Sequence, residues 1–385
     1  MGGVWVARLT ELDGLRGIAA LVVVISHVVC ALYPELYFGA AADQAATWQS
    51  WFAKSPFYAT INGSFAVYVF FVLSGYVIAQ SADRNTTPLP ATLLARYLRL
   101  AVPAGASIMF AGLLIVSGLH CPDNVGLEGQ WWRNTCPHGI SSLQILQQAA
   151  GSFFWSDQKL ANGPLWTMQR ELIGSFAIYV IFWAVPGKSW RLFACLAIAL
   201  IIDKLAPESD RYMCFVTGAV LYLTSSRLQM KIPGATAAIL ALGIFLGGKP
   251  FYSDNAGLMY TPVLRALSLL RLDSYVSTIG ASAILLAVLR GGAPANLLRR
   301  DAPQFLGRIS FSIYLIHRPL TQSLLAYSYG LIGQSIMGTT GCIAIFFAVT
   351  FFLSAVFNIL VDEPTLKLIR KFRQTVGSRV PIQAV

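Results

Sequence analysis

A histidine that could move protons, His27, and an arginine, Arg16, lie in one apolar stretch near the N-terminus. They are eleven positions apart, and eleven residues at about 100° each make about three helical turns. Both side chains therefore lie on one face of a helix, about 16 Å apart along its axis. In a membrane-spanning helix, this spacing puts the guanidinium near the surface and the imidazole near mid-depth.

Two interpretations of His27 follow from that position. Histidine titrates near neutral pH, so a neutral His27 can act as a general base or as a nucleophile. It can instead make a hydrogen bond between packed helices. Ionisable groups inside membrane spans are costly and usually mark a pathway or a reaction site. The stretch alone leaves the two interpretations balanced.

A second histidine, His317, lies in another apolar segment and is followed by Arg318. Ser310, Tyr314 and His317 recur at helical spacing and share one face, which makes Tyr314 a candidate substrate-binding residue. Counted along the predicted helices, His27 and His317 come to about 16 and 13 Å depth. The two histidines could face one cavity, but the sequence does not show whether their helices are neighbours.

A pair of arginines, Arg96 and Arg99, is spaced to share one face of a helix at the cytoplasmic surface. Pro103, one turn later, bends or opens that helix. Paired guanidinium groups suit phosphate oxygens, but basic residues also flank cytoplasmic helix ends without any ligand. The pair alone favours the flanking interpretation.

Two cysteines, Cys121 and Cys136, each precede a proline in the longest predicted outer loop, residues 120–165. On the outer side of a membrane this pattern predicts a disulfide. A zinc site that adds His120 and His138 is the alternative, although the spacing matches no familiar zinc-finger pattern.

The same loop leads to Trp166, a residue suited to a membrane interface, and to Glu171, at or just inside the predicted outer boundary of a span. A carboxylate there pairs with Arg170 or with a cation on another helix, or it binds a ligand. The residue types leave these alternatives open.

Composition predicts the elements that position these residues. The chain of 385 residues is 56% hydrophobic and only 12% charged, whereas soluble proteins carry about 25% charged residues. These values exclude a globular enzyme with a single anchor and predict an all-α, polytopic bundle in the membrane. The net charge of +11 fits basic cytoplasmic loops and an anionic membrane surface. We therefore expect a lipid bilayer, and no nucleic acid, as a partner.

Ten apolar segments are long enough to cross a membrane. Basic residues are twice as frequent in the loops assigned to the inside, which predicts that both termini are cytoplasmic. We expect one membrane domain, residues 1–375, and a short cytoplasmic tail, residues 376–385. The first segment could be a signal peptide, but its length and the acidic residues before it favour an uncleaved span. The ten segments are approximately 14–34, 61–80, 99–119, 166–186, 190–206, 212–227, 233–249, 274–290, 305–327 and 334–361.

Five stretches, taken together and in order, resemble the membrane-bound acyltransferase-3 family over nearly the whole chain. They are DGLRGIAALVVVISH at 13–27, FFVLSGY at 70–76, RYLRLAVP at 96–103, NGPLWTMQRE at 162–171 and SFSIYLIHRPL at 310–320. This family transfers acyl groups, most often acetyl, to hydroxyls of sugars or related small molecules. The resemblance implies acetyl-CoA or another acyl-CoA as donor, a glycan or glycolipid as acceptor, and a bacterial inner membrane. We expect no metal.

Matched motif by motif, the resemblance also implies roles for individual residues. The implied catalytic residues are Arg16, His27, Glu171 and His317. The acyl-CoA is expected to dock on Arg96 and Arg99, and the acceptor is expected to meet Trp166. Two departures from the family pattern occur: three residues rather than two separate Arg99 from the following proline, and Glu171 follows an arginine rather than an apolar residue.

The resemblance leads to a mechanism in which the thioester of acyl-CoA reaches His27. The histidine then acts as general base on the acceptor hydroxyl, or as a nucleophile that forms an acyl-imidazole. Glu171 and the outer aromatic residues are expected to hold the acceptor from the other side. The competing interpretation is a proton-coupled transporter of a small solute, which also uses buried histidines. The chain shows no repeat relating its two halves, a feature of many carriers.

Overall fold

The computed structural model is a bundle of α-helices, with no strand among the residues that it describes. These residues are 9–38, 48–123, 125–127, 130–137, 139–155, 159–205, 208–225, 234–250 and 259–377. Most of the predicted cytoplasmic tail, residues 378–385, lies outside this set.

Each of the ten predicted apolar segments coincides with a helix. In chain order these helices are α1 (Thr10–Leu32), α2 (Gly63–Asp83), α3 (Leu89–Val116), α4 (Trp166–Ala184), α5 (Lys188–Leu205), α6 (Ser209–Thr224), α7 (Ala235–Gly247), α8 (Val276–Leu289), α9 (Asp301–Leu320) and α10 (Ile336–Phe357). The chain then continues into α11 (Glu363–Gly377).

Shorter helical elements connect these helices. The short α-helices are Pro34–Phe38, Trp48–Ala53, Gln130–Thr135, Ser142–Ala149, Thr261–Leu269, Ala293–Leu298 and Ala326–Ile332. The 3₁₀ turns are Pro56–Thr60, Ser152–Phe154, Gly163–Leu165 and Asp273–Tyr275. Two π-helical segments interrupt the long helices: Thr321–Leu325 follows α9, and Asn358–Asp362 joins α10 to α11.

Four helical runs within the described ranges are long and apolar enough to cross a membrane. They are α1, α2, α3 and the continuous run Ile336–Val376. The run Asp273–Leu289 and helix α7 are apolar but shorter. The predicted class, an all-α membrane protein, is confirmed. The count of ten crossings and the cytoplasmic position of both termini stay predictions.

Helices α1 and α9 pack closely and bring the two histidines side by side. A Cβ atom on Gly17 would lie 2.5 Å from the backbone nitrogen of Gly307, and one on Gly307 would lie 2.3 Å from Asp13 O. Only glycine permits so close an approach of two backbones. His27 and His317 each lie ten residues beyond the glycine of their own helix. The two helices therefore run parallel and in register.

The end of α9 is shaped by Pro319, which has no N–H to donate to the carbonyl of Leu315. The side chain of Asn162 donates to that carbonyl instead, with Nδ2 2.8 Å from Leu315 O. The chain continues beyond Pro319 into the π-helical segment Thr321–Leu325. Such segments often occur at functional sites, and this one begins four residues after His317.

Candidate active site

A hydrogen-bonded pair of histidines lies at the contact between α1 and α9. His27 Nδ1 is 2.8 Å from His317 Nε2, and the two rings stack with centroids 4.9 Å apart. His317 is fully buried, and its Nδ1 is 2.9 Å from the carbonyl oxygen of Ile313. The structure thus brings together two residues that are 290 positions apart in the sequence.

These hydrogen bonds determine the tautomers of the pair. A carbonyl oxygen only accepts, so His317 Nδ1 carries the proton that it donates to Ile313. In the neutral ring, His317 Nε2 is then an acceptor, and His27 Nδ1–H donates to it. His27 Nε2 is left with its lone pair, as a general base or a nucleophile requires. The backbone of α9 thereby determines which nitrogen of His27 keeps its lone pair.

His27 borders a cavity of about 270 Å³, which we call the histidine cavity. Its wall includes Trp131, Trp166, Tyr314 and Arg318. The ring of Trp131 stacks on His27 with the centroids 5.7 Å apart. The imidazole is therefore held by His317 and Trp131 while it still borders open space.

A second cavity, of about 180 Å³, is lined by Arg16, Arg96, Arg99 and Glu171, and we call it the arginine cavity. Three guanidinium groups and one carboxylate give its wall a positive balance. A cleft lined by one sign of charge concentrates ligands of the opposite sign. The arginine cavity therefore suits an anionic ligand.

Arg96 already has a carboxylate partner in this cavity. It forms an ion pair with Glu171, and its Nε donates to Ser175 Oγ at 3.2 Å. Ser74 Oγ donates to the same carboxylate at 2.7 Å. Glu171, which is buried, therefore links α2, α3 and α4.

Arg99 pairs with a different carboxylate. Its guanidinium forms an ion pair with Asp362, in the π-helical segment between α10 and α11. It also lies over the ring of Phe311, 4.9 Å from the centroid. Helix α3 runs through Pro103 without a break. The two arginines share one cavity, but a phosphate ligand would have to replace their carboxylate partners.

Arg16 differs from the two other arginines of this cavity. It lines the same wall but forms no ion pair with any residue that the structure describes. No described ion pair therefore has to break before this guanidinium binds an anionic ligand.

Tyr314 and Val67 line both cavities and form the partition between them. The Tyr314 hydroxyl donates to Pro164 O at 3.0 Å and is 2.8 Å from Thr167 Oγ1. Its ring meets Phe70 edge-on, with the centroids 6.0 Å apart. The predicted substrate-binding tyrosine thus stands between the two cavities.

The structure divides the four predicted catalytic residues between the two cavities. His27 and His317 are in direct contact, whereas Arg16 and Glu171 line the arginine cavity. Arg16 lies three turns before His27 on α1, so the predicted spacing places it at the other cavity rather than beside the imidazole. Their catalytic roles stay predictions.

Trp166 and Glu171, which were expected to hold the acceptor together, line different cavities, and their roles toward the acceptor stay predictions. Trp166 lines the histidine cavity, but Glu171 lines the arginine cavity and pairs with Arg96. Five residues turn a helix by about 140° beyond one full turn and advance it by about 7.5 Å, so the two side chains diverge. Arg170 pairs with Glu208, not with Glu171.

Trp166 is held in place by two arginines that pair with Glu208, the residue just before α6. The guanidinium carbons of Arg170 and Arg211 lie 5.1 and 4.6 Å from its ring centroid, and both arginines pair with Glu208. Partial burial raises the pKa of Glu208, but hydrogen bonds from the two arginines outweigh it and hold this pKa below its ordinary value. An ionised Glu208 therefore keeps both cations over the tryptophan.

A disulfide closes the segment that contributes Trp131. Cys121 and Cys136 are bonded, with their Cα atoms 6.0 Å apart, and we call the segment between them the flap. The Cys121 N–H donates to Gln322 O at 2.6 Å, and Gln322 Nε2 donates to Thr135 O at 3.0 Å. The flap is therefore attached to the π-helical segment after α9, over the histidine pair.

The zinc alternative loses two of its ligands to this disulfide, because Cys121 and Cys136 are bonded to each other. His138 lies outside the described residues. No group of three or more His, Cys, Asp or Glu side chains suited to a metal ion occurs in the part of the chain that the structure describes.

Four residues of the site had no functional role in the sequence analysis: Ser74, Trp131 and Arg318, which line the cavities, and Asp362, which pairs with Arg99. Arg318 carried a signal, because it is a charge in an apolar run beside His317. Ser74 and Asp362 carried none, since their roles depend on partners from other helices. Trp131 was one aromatic residue among several in the loop.

Comparison with known proteins relates this chain to acyltransferases. The chain matches the sequence model of the acyltransferase-3 family, described as an acyltransferase domain, over residues 9–359. It is 25% identical to acyltransferase MdmB of Streptomyces mycarofaciens, over 98% of this chain and 96% of that protein. It is 23% identical to acyltransferase R4 of a Phoma species, over 80% and 81% of the two chains. O-acetyltransferase PaAT-1 of Phomopsis amygdali is 24% identical, over 81% and 72%. No solved structure matches significantly.

The matched region contains the histidine pair and the residues that line both cavities. The three relatives are all named as acyltransferases, which favours an enzyme over the proton-coupled transporter. The chain therefore belongs to the acyltransferase-3 family and is an acyltransferase of the membrane.

Proposed function

We propose that this enzyme is an O-acyltransferase that moves an acyl group from acyl-CoA to a sugar hydroxyl of a cell-surface glycan or glycolipid. The observation that carries the proposal is the position of His27, whose free nitrogen borders one cavity while a single partition separates it from a second, cationic one. A relative named as an O-acetyltransferase supports acetyl as the group transferred. We place the enzyme in a bacterial inner membrane, with the arginine cavity toward the cytoplasm.

The arginine cavity is the proposed donor site. Its volume of about 180 Å³ is smaller than the about 300–1,000 Å³ of pockets for drug-sized ligands. It therefore accommodates the thioester arm of acyl-CoA rather than the whole molecule. The phosphates would meet Arg96 and Arg99 by replacing their carboxylate partners, and Arg16 offers a guanidinium that needs no such exchange.

The histidine cavity is the proposed acceptor site. Trp131 and Trp166 on its wall combine flat apolar faces with N–H donors, which suits a sugar ring and its hydroxyls. The flap and the Glu208 ion pairs hold these two rings from different sides. An acceptor hydroxyl in this cavity lies next to His27.

The proposed chemistry begins when His27 Nε2 takes the proton of the acceptor hydroxyl. The hydroxyl oxygen attacks the thioester carbonyl carbon. When the tetrahedral intermediate collapses, the C–S bond breaks and the CoA thiolate takes the proton from His27. In a two-step alternative, Nε2 itself attacks the carbonyl, the C–S bond breaks and the CoA thiolate leaves, so that His27 carries the acyl group as an acyl-imidazolium. The acceptor hydroxyl then attacks this acyl group, the N–C bond breaks, and the hydroxyl proton goes to the thiolate. In either route Tyr314 moves aside for the thioester.

The test compares wild-type enzyme with His27→Ala in a host whose own copy of the gene is deleted. We expect O-acetyl esters on surface glycans with the wild type and none with His27→Ala at equal membrane levels, as measured by mass spectrometry or NMR. His120→Ala is a matched control, because this histidine lines neither cavity. Esters retained in His27→Ala would contradict the role of His27. No esters with the wild type would contradict the glycan acceptor.

A further inference from the structure

We propose that Arg318 is a further catalytic residue, whose guanidinium stabilises the negatively charged oxygen of the tetrahedral intermediate formed beside His27. The inference rests on the proposed acyl transfer and adds the group that meets the developing charge. It starts from a cation in the wall of the histidine cavity that the acyl-transfer steps described so far do not use.

Arg318 is a buried charge for which the described part of the chain provides no ion-pair partner. It is 2% exposed, and it forms no ion pair with any side chain in the described ranges. A guanidinium stays protonated in proteins, and a buried charge without a partner is costly. Its Nη1 has no hydrogen-bond partner among the described residues. One donor of a buried cation is therefore left for a group that arrives or forms during the reaction.

The rest of the guanidinium is held firmly. Nη2 donates to Thr135 Oγ1 of the flap, and the guanidinium carbon lies 4.2 Å from the ring centroid of Trp131. Trp131 also stacks on His27, so one ring fixes both the base and the cation on the wall of the same cavity. A donor that is fixed in advance can stabilise an oxyanion without reorganising during the reaction.

Arg318 assists the attack of the acceptor oxygen on the thioester carbonyl. The new C–O bond forms while the π electrons of the carbonyl move onto its oxygen, and Arg318 Nη1–H donates to that oxyanion. On collapse these electrons restore the C=O bond, and the electrons of the C–S bond leave with the CoA thiolate. The thiolate takes the proton that His27 removed from the acceptor. Arg318 transfers no proton.

A permanent anion on the acceptor, such as the carboxylate of a uronic acid, would also neutralise Arg318. The observations favour the oxyanion, because Arg318 directly follows His317 in the chain and shares Trp131 with His27. These contacts tie the cation to the reactive imidazole rather than to the outer part of the cavity.

The experiment measures acetyl-CoA turnover by the purified full-length enzyme in lipid nanodiscs. The acceptors are methyl glucoside, which is neutral, methyl glucuronide, which is anionic, and water, with CoA thiol release as the readout. We expect Arg318→Gln to lower kcat by about 10²–10³-fold for all three acceptors, as for a lost oxyanion donor, with an unchanged KM for acetyl-CoA. Arg318→Lys keeps the positive charge but not the planar guanidinium with its paired N–H donors. We expect this variant to recover part of the lost kcat.

Arg308→Gln is the matched control, because Arg308 is an exposed arginine of the same helix and contacts Phe305 rather than the cavity. An unchanged kcat in Arg318→Gln with methyl glucoside would overturn the inference. A raised KM for methyl glucuronide alone would assign Arg318 to acceptor binding and would also overturn it. Equal losses in Arg318→Gln and Arg318→Lys, with lowered melting temperatures, would show a purely structural role. A wild type as inactive as His27→Ala would contradict the proposed acyl transfer itself.

Discussion

Replacing His317 tests whether this residue orients His27. His317 Nε2 accepts a hydrogen bond from His27 Nδ1 at 2.8 Å, and its own Nδ1 donates to Ile313. The change His317→Leu removes the acceptor and leaves the N–H of His27 unsatisfied. The change His317→Gln keeps an acceptor, because its amide oxygen can lie near the former position of Nε2. We expect the leucine variant to lose activity and the glutamine variant to retain more of it.

The size of the loss follows from the unsatisfied donor. Leaving a buried N–H without a partner costs about 1–3 kcal/mol. When His27 turns to satisfy that N–H elsewhere, its free nitrogen leaves the orientation described above. At about 1.36 kcal/mol for each tenfold change in rate, kcat of His317→Leu should fall by about 5- to 150-fold. The glutamine variant should lie between this value and the wild type.

The assay follows labelled acetyl from acetyl-CoA to the acceptor at saturating concentrations of both, with purified enzyme in lipid nanodiscs. His27→Ala sets the background, and the melting temperature of each variant separates orientation from folding. An unchanged kcat in His317→Leu would refute the reasoning from the tautomers. Equal losses in both variants at equal stability would show that His317 does more than accept this hydrogen bond.

Two further predictions concern the flap and the partition. The double change of Cys121 and Cys136 to serine should lower the free energy of unfolding by up to about 3 kcal/mol, the value for closing a 15-residue loop, and should reduce transfer because Trp131 loses its support. Reductant should lower the transfer rate of the wild type but not that of the double variant. An unaffected transfer rate would contradict the role of the flap. The change Tyr314→Phe removes a hydroxyl that donates to Pro164 O, a hydrogen bond worth about 0.5–1.5 kcal/mol. It should therefore loosen the partition and raise acetyl-CoA hydrolysis relative to ester formation. An unchanged ratio of CoA released to ester formed would count against a partition at this tyrosine.

The residues of the site were visible in the sequence to different degrees. His27 and His317 stood out because ionisable groups are rare in apolar helices. Arg318 had the same signal but no assigned role. Ser74 and Asp362 could not be found, since a serine in a helix and an aspartate near a helix end are ordinary until their partners are known. Glu171 was found, but the sequence could not show that it lines a different cavity from Trp166, because residues close in a motif need not share a helix face.

The sequence by itself determined the class of the protein and its helical segments. Long apolar runs with few charges can satisfy their backbone hydrogen bonds in a membrane only as helices or closed barrels, and every predicted segment coincides with a helix. Helical spacing also determined that Ser310, Tyr314 and His317 share a face. These properties are local, so each follows from residues that are near one another in the chain.

Only the tertiary structure decided which of these residues meet. The glycines Gly17 and Gly307 allow α1 and α9 to run parallel in close contact, and this contact joins His27 to His317. The pairing of Arg96 with Glu171 likewise depends on helices that the sequence could not show to be neighbours. The physical reason is that helix propensity and apolarity act along one chain segment, whereas the choice of neighbours depends on close packing between segments far apart in sequence.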